Sequence, residues 1–197
     1  MSKTLYIVAG CNGAGKTTAS ITILPEILMC KDFVNADEIA KGLSPFNPEG
    51  VAIQAGRIML ERIDFLLNGD DSFSIETTLS TKTYRNLVKK AHERGFRVHL
   101  IFFWLPNPES AVLRVAKRVK EGGHNIPTDV VVRRYYAGIS NFFTIFKDIV
   151  DSWMIVENLH NPRIIVADGG VDSETQIYDV ELFEKMFAIC QTKNANC

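Results

Sequence analysis

The chain has 197 residues, 46% of them hydrophobic and 23% charged, with a formal net charge of −1. That length and mixture suit one globular domain, 1–197, with a full core, and exclude a disordered or low-complexity chain. The near-zero charge excludes a general attraction to nucleic acid or to an anionic membrane, so any anion site must be local.

Leu5-Tyr6-Ile7-Val8-Ala9 is a short apolar run that reads as a buried strand. Gly10-Cys11-Asn12-Gly13-Ala14-Gly15-Lys16-Thr17 follows it and fits G-x-x-x-x-G-K-[ST], the phosphate-binding P-loop. Apolar residues after Thr17 (Ala19, Ile21, Leu24) give a helix something to bury. Strand, glycine loop and helix N-terminus make an anion cradle, because glycines let N–H groups turn inward and the helix dipole adds positive potential. In that cradle Lys16 reaches the β- and γ-phosphates of ATP and Thr17 offers its hydroxyl to Mg²⁺. Gly10, Asn12, Gly13, Ala14, Gly15 and Thr18 complete the ATP contacts. Cys11 is a spacer within the loop.

Asp32 to Asp37 reads as a second strand ending in polar Asn35 and Asp37, and Glu38 to Leu43 as a short helix closed at Ser44-Pro45. A longer helix starts at Asn47-Pro48 and runs to Leu67, with Val51, Ala55, Ile58, Met59, Ile63 and Leu66 at helical spacing. Ser72 to Thr78 is a third strand, with Glu76 near its C-terminal end. A helix from Lys82 to Glu93 stops at Gly95, and Arg97 to Leu105 is the strongest strand pattern in the chain. Helices from Pro108 to Lys120 and from Thr128 to Phe146 flank Gly122-Gly123. Strands over 152–157 and 162–168 and a helix over 179–189 complete the series.

Strands alternating with helices predict an α/β fold with a mainly parallel sheet. In such sheets ligands sit beyond the carboxyl ends of the strands, where the P-loop, Asp37 and Glu76 all fall. Phosphoryl transfer also needs a group that orients the acceptor hydroxyl, and cations for the charge on the phosphoryl. Asp37 is the candidate base; it is also a natural helix N-cap. Glu76 binds a substrate hydroxyl or supports Mg²⁺ through water, or else forms a salt bridge to an arginine. Arg114 and Arg118 share a helix face, Arg133 and Arg134 open the next helix, and the glycine pair between the helices marks a closing lid over about 110–140. His124, in that hinge, is a candidate substrate contact. The four cysteines show no CxxC spacing, which argues against a disulfide framework or zinc site and for a reducing, cytoplasmic setting. The longest apolar run, Leu100 to Leu105, is too short to span a bilayer, and no membrane role is expected.

Taken together, Ala9 to Thr18, Asn35-Ala36-Asp37, Glu76-Thr77-Thr78-Leu79-Ser80, Arg114 to Val119, Gly122 to Pro127 and Val132-Arg133-Arg134-Tyr135 resemble the zeta-toxin family of P-loop kinases, in motif order over about residues 4–170. The resemblance implies a three-layer P-loop NTPase fold, nucleotide-kinase-like, with a helical lid. It implies ATP- and Mg²⁺-dependent transfer to a small-molecule hydroxyl, the 3′-hydroxyl of the aminosugar of UDP-N-acetylglucosamine in the best-known members, and a small antitoxin as protein partner. By the same resemblance Asp37 is the base, Glu76 and Thr77 contact substrate, and the lid arginine is Arg118 with either Arg133 or Arg134. Trp153 to Asn158 looks like the segment beside the adenine pocket. Other acceptors (a nucleoside, an antibiotic, a polynucleotide end) keep the same chemistry, although no excess of positive charge favours a nucleic acid. A regulatory ATPase acting through a protein partner is the reading from a different class.

Overall fold

The structure is a computed structural model that describes residues 3–26, 28–123 and 125–194. His124 and Cys197 lie outside the described residues. Among the described residues seven strands form one sheet, β1 (Thr4–Ala9), β2 (Asp32–Val34), β3 (Phe73–Thr77), β4 (Arg97–Trp104), β5 (Ser152–Glu157), β6 (Ile164–Gly170) and β7 (Ser173–Ile177), in the order β2-β3-β1-β4-β5-β6-β7. The first five strands of that order run parallel, and β6 and β7 close the edge as antiparallel strands. The helices are α1 (Lys16–Glu26), α2 (Ala36–Leu43), α3 (Ala52–Leu67), α4 (Tyr84–Glu93), α5 (Pro108–Lys120), α6 (Thr128–Thr144) and α7 (Val180–Asn194).

The central strands read as apolar runs because both faces are covered. Leu5, Ile7 and Ala9 of β1 and Val98 and Leu100 of β4 have no exposed surface. Each large aliphatic side chain buried in this way contributes about 1.5–3 kcal/mol. Parallel pairing of β1 with β3 sets Val8 beside Glu76 and Ala9 beside Thr77. One register therefore delivers Glu76 to the first residues of the P-loop.

Several boundaries differ from expectation. β2 ends at Val34, three residues early, because the Asn35 side chain accepts from the N–H groups of Asp37 (2.8 Å) and Glu38 (3.4 Å) and so starts α2. The N-cap is thus Asn35, and Asp37 is a first-turn residue. The long helix expected from Asn47 begins as a 3₁₀ turn over Glu49–Val51 before α3. β6 runs on to Gly170, where a Cβ would meet Asp151 O at 2.2 Å. β7 had no signal in the sequence: all five of its residues are exposed, so no hydrophobic alternation marks it.

α5 and α6 form the helical hairpin expected as a lid, and it is rooted in the core at both ends. Ala111 and Val115 are buried on α5, and Val131, Tyr135 and Ile139 on α6. Tyr135 donates its hydroxyl to Leu105 O (2.8 Å) and accepts from the Trp104 indole (3.2 Å), while Asn141 Nδ2 donates to Leu79 O (2.8 Å). A Cβ at Gly138 would sit 2.7 Å from Thr78 O, so glycine there allows the close approach of α6 to the end of β3. No helix among the described residues is long and apolar enough to cross a membrane.

Candidate functional site

The loop after β1 has the backbone its glycines foretell. Gly10, Gly13 and Gly15 have φ of 138°, 81° and 81°. A Cβ at Gly10 would lie 2.1 Å from Phe103 O, and one at Gly13 would lie 2.7 Å from Ala111 O. The loop closes over its own lysine: Lys16 Nζ donates to Cys11 O at 3.1 Å. Burial pushes the Cys11 thiol up to about 11, against a smaller opposing pull from Lys16 and Arg114, so this thiol is protonated and inert.

Glu76 faces that lysine from the end of β3. Thr17 Oγ1 donates to Glu76 Oε2 at 2.8 Å, and Lys16 Nζ lies 3.5 Å from Glu76 Oε1. Lys16 is buried and Glu76 largely so, their side chains 6% and 9% exposed, so each charge depends on the other for solvation lost on folding. Glu76 is thus paired with the P-loop lysine rather than with an arginine.

Two cavities meet at these groups. The larger, about 380 Å³, is lined by Asn12, Gly13, Gly15, Lys16, Thr17 and Thr18 on one side, by Asp37 and Lys41 of α2 and Glu49 opposite, and by Arg114 and Arg118 above. The smaller, about 240 Å³, lies beyond Lys16 and is lined by Asn35, Asp37, Glu76, Thr77, Thr78, Ser80, Tyr84 and Arg134. Asn12, Lys16, Asp37 and Glu76 belong to both. Arg134 reaches the junction with its Nη1 donating to Asn12 Oδ1 at 3.1 Å. Arg133, one position earlier and about 100° round the helix, is exposed and lines neither cavity. Thr77 lines the smaller cavity, but its hydroxyl accepts from the Leu79 N–H (3.0 Å) and holds the turn where Leu79 takes a φ of 55°.

On the far side of the loop a third cavity, about 650 Å³, is lined by Gly15, Thr18, Arg114 and residues 158–163. The family resemblance placed Asn158 beside the adenine pocket, and the structure brings Arg114 and Arg163 to it on this side of the loop. Arg114 donates to Asn158 O (2.8 Å) and to Gly13 O (3.5 Å), and Asn158 Nδ2 donates to Ala14 O (2.6 Å). Arg163 Nε donates to Asn158 Oδ1 at 2.8 Å. Glu157 is fully buried and accepts from Leu159 N–H (2.6 Å) and pairs with His160 Nδ1 (2.9 Å), which shapes the same loop. Arg114 was visible as the neighbour of Arg118 one turn away; nothing in the local sequence marks Arg163.

The donor set fits a nucleoside triphosphate with Mg²⁺. Positive φ at Gly10, Gly13 and Gly15 wraps the loop around Lys16, and Thr17 with Glu76 offers hard oxygens of the kind Mg²⁺ takes, one or two per site beside phosphates and water.

The family model described as Zeta toxin matches residues 1–180. A Haemophilus influenzae protein, described as uncharacterized, is 33% identical over 135 residues, which are 68% of this chain and 94% of that protein. Among solved structures, the chain is similar to one from the PezAT chromosomal toxin-antitoxin system of Streptococcus pneumoniae, with a TM-score of 0.67 and 15% identity over 99% of this chain and 87% of that one. It is also similar to a chain of the AvrRxo1-ORF1:-ORF2 complex solved with ATP, with a TM-score of 0.74 and 19% identity. That match covers 94% of this chain and spans 63% of the other. At these identities the two structural likenesses show the fold.

Proposed function

The chain belongs to the zeta toxin family, and from that premise we propose that it is an ATP- and Mg²⁺-dependent phosphotransferase acting on a hydroxyl of a small molecule. The observation that carries this reading is the junction of the two cavities, where Lys16, Asp37, Glu76 and Arg134 converge. A P-loop built only to bind nucleotide needs no second chamber with a carboxylate at its mouth.

Lys16, Thr17 and the loop amides hold the triphosphate, with Arg114 and the 158–163 loop on the base side. Thr17, with Glu76 behind it, would hold Mg²⁺, which would supply positive charge beside the β- and γ-phosphates. Asp37 accepts the proton of the acceptor hydroxyl as its oxygen bonds to the γ-phosphorus and the bond to the β-phosphate oxygen breaks, releasing ADP. Arg134 and Arg118 stabilise the charge spread over the transferring phosphoryl. The acceptor sits in the smaller cavity, whose lining is rich in hydroxyls: Thr77, Thr78, Ser80, Thr81 and Tyr84.

The family points to UDP-N-acetylglucosamine as acceptor, to an antitoxin as protein partner and to the cytoplasm, where both nucleotides are made. The similarity in fold to a chain from a toxin-antitoxin system supports the partner reading. The test is mass spectrometry of the protein incubated with ATP, Mg²⁺ and UDP-N-acetylglucosamine, beside Lys16→Ala. A sugar nucleotide heavier by one phosphoryl group, absent from the control, supports both the phosphotransferase and this acceptor. ADP without a modified sugar keeps the phosphotransferase site and removes this acceptor. No nucleotide turnover with any hydroxyl acceptor would remove the enzyme.

A further inference from the structure

We propose that Asn158 is a positioning residue that sets the Gly15 amide for the triphosphate; the inference rests on the phosphotransferase reading above. Asn158 follows β5, 144 residues from the loop it touches, and is 9% exposed. Its orientation is fixed by chemistry. Ala14 O can only accept and Arg163 Nε can only donate, so Nδ2 must face Ala14 (2.6 Å) and Oδ1 must face Arg163 (2.8 Å). The backbone is held as well, with Asn158 N–H donating to Trp104 O at 2.9 Å and Asn158 O accepting from Arg114 at 2.8 Å. Every polar group of this residue is therefore engaged by a partner in the framework.

The consequence lies in the peptide between Ala14 and Gly15. That peptide is trans, so its carbonyl and its N–H point in opposite directions. Drawing Ala14 O toward Asn158 turns Gly15 N–H the other way, toward the cavity that Gly15 lines with Lys16 and Thr17. Gly15 holds a φ of 81°, which disfavours any side chain there, and the absence of a Cβ lets Asn158 Nδ2 approach the loop backbone. A glycine with freedom on both sides of φ would otherwise sample several peptide orientations, most of them useless to an anion. Asn158 selects one before the nucleotide arrives.

The test measures binding of inorganic tripolyphosphate and of ATP by calorimetry, and follows the Gly15 amide resonance during the tripolyphosphate titration. Asn158→Ala removes the donor and leaves a gap, and Asn158→Leu removes it while keeping the branched shape with slightly larger groups, so the two variants bracket the packing around β5. We expect tripolyphosphate affinity to fall about tenfold, the size of one lost hydrogen bond, and the Gly15 resonance to lose its large shift on binding. ATP should weaken by at least the same factor, because Asn158 also anchors Arg163 of the base-side loop; the tripolyphosphate loss isolates the phosphate cradle. Variants that bind tripolyphosphate as tightly as the parent, with the Gly15 shift intact, would overturn the role of Asn158 alone. A parent protein that binds neither ligand would overturn the phosphotransferase reading, and this inference with it.

Discussion

Thr17 donates its hydroxyl to Glu76 across 2.8 Å, so the residue expected to meet Mg²⁺ is already tied to a carboxylate from the neighbouring strand. The same carboxylate stands 3.5 Å from Lys16. Its place is behind the nucleotide cradle as much as beside the acceptor. Glu76→Gln keeps the shape and a hydrogen-bond acceptor for Thr17 but removes the charge. We expect the Mg²⁺-dependent gain in ATP affinity to shrink about tenfold, since the carboxylate charge placed behind Thr17 is lost. Calorimetry with ATP across a Mg²⁺ series reads this directly. A change in acceptor KM with the Mg²⁺ dependence intact would assign Glu76 to the acceptor instead.

Asp37 stands in the first turn of α2, exposed at the mouth of both cavities, and the capping work falls to Asn35. Asp37→Asn should therefore leave α2 and ATP affinity unchanged. Transfer to the acceptor should fall by more than about 100-fold, the usual worth of a positioned base. Near-normal single-turnover transfer by this variant would remove Asp37 as the base.

The neighbours Arg133 and Arg134 make a paired experiment. Arg134 is held by Asn12 at the cavity junction, and Arg133 is exposed. Arg134→Ala should lower kcat by about 10²–10³, as loss of one charge-stabilising donor does, whereas Arg133→Ala should stay within about twofold. Equal losses from the two variants would mean that the helix, and not the guanidinium, is what matters.

Much of this site was legible because it rests on local chemistry. The P-loop needs glycines at positive φ and a lysine and threonine at a helix start, and all are contiguous in the chain. Asp37, three residues past β2 in the first turn of α2, and Glu76, near the end of β3, both fall at the carboxyl edge, where parallel sheets expose their ligands. The choice between Arg133 and Arg134 was not legible, because it depends on how α6 is rotated against Leu105 and Leu79 by Tyr135 and Asn141. Asn158, Arg114 and Arg163 brace the loop through contacts more than 40 residues apart in sequence, or through a loop with no periodicity. β7 escaped because an exposed edge strand buries nothing that a pattern could reveal.

Cys11 gives a last test, and it turns on the sign of a titration. A cysteine beside a lysine at a helix N-terminus is a textual match for an activated thiol, which such surroundings would lower toward neutrality. Burial dominates instead and pushes the thiol up to about 11. At pH 8 the thiolate fraction is then about one in a thousand, the result of three pH units below the titration point. Iodoacetamide at pH 8 should leave Cys11 unmodified for hours in the folded protein and modify it at once in guanidinium, as read by peptide mass spectrometry. ATP should add no further protection, because the thiol is hidden by the fold and not by the nucleotide. Cys11→Ala should bind ATP within about twofold of the parent, since the loop offers backbone amides rather than this side chain. Rapid alkylation in the native state that ATP suppresses would mean the thiol faces the cradle, and Cys11 would then belong to the site.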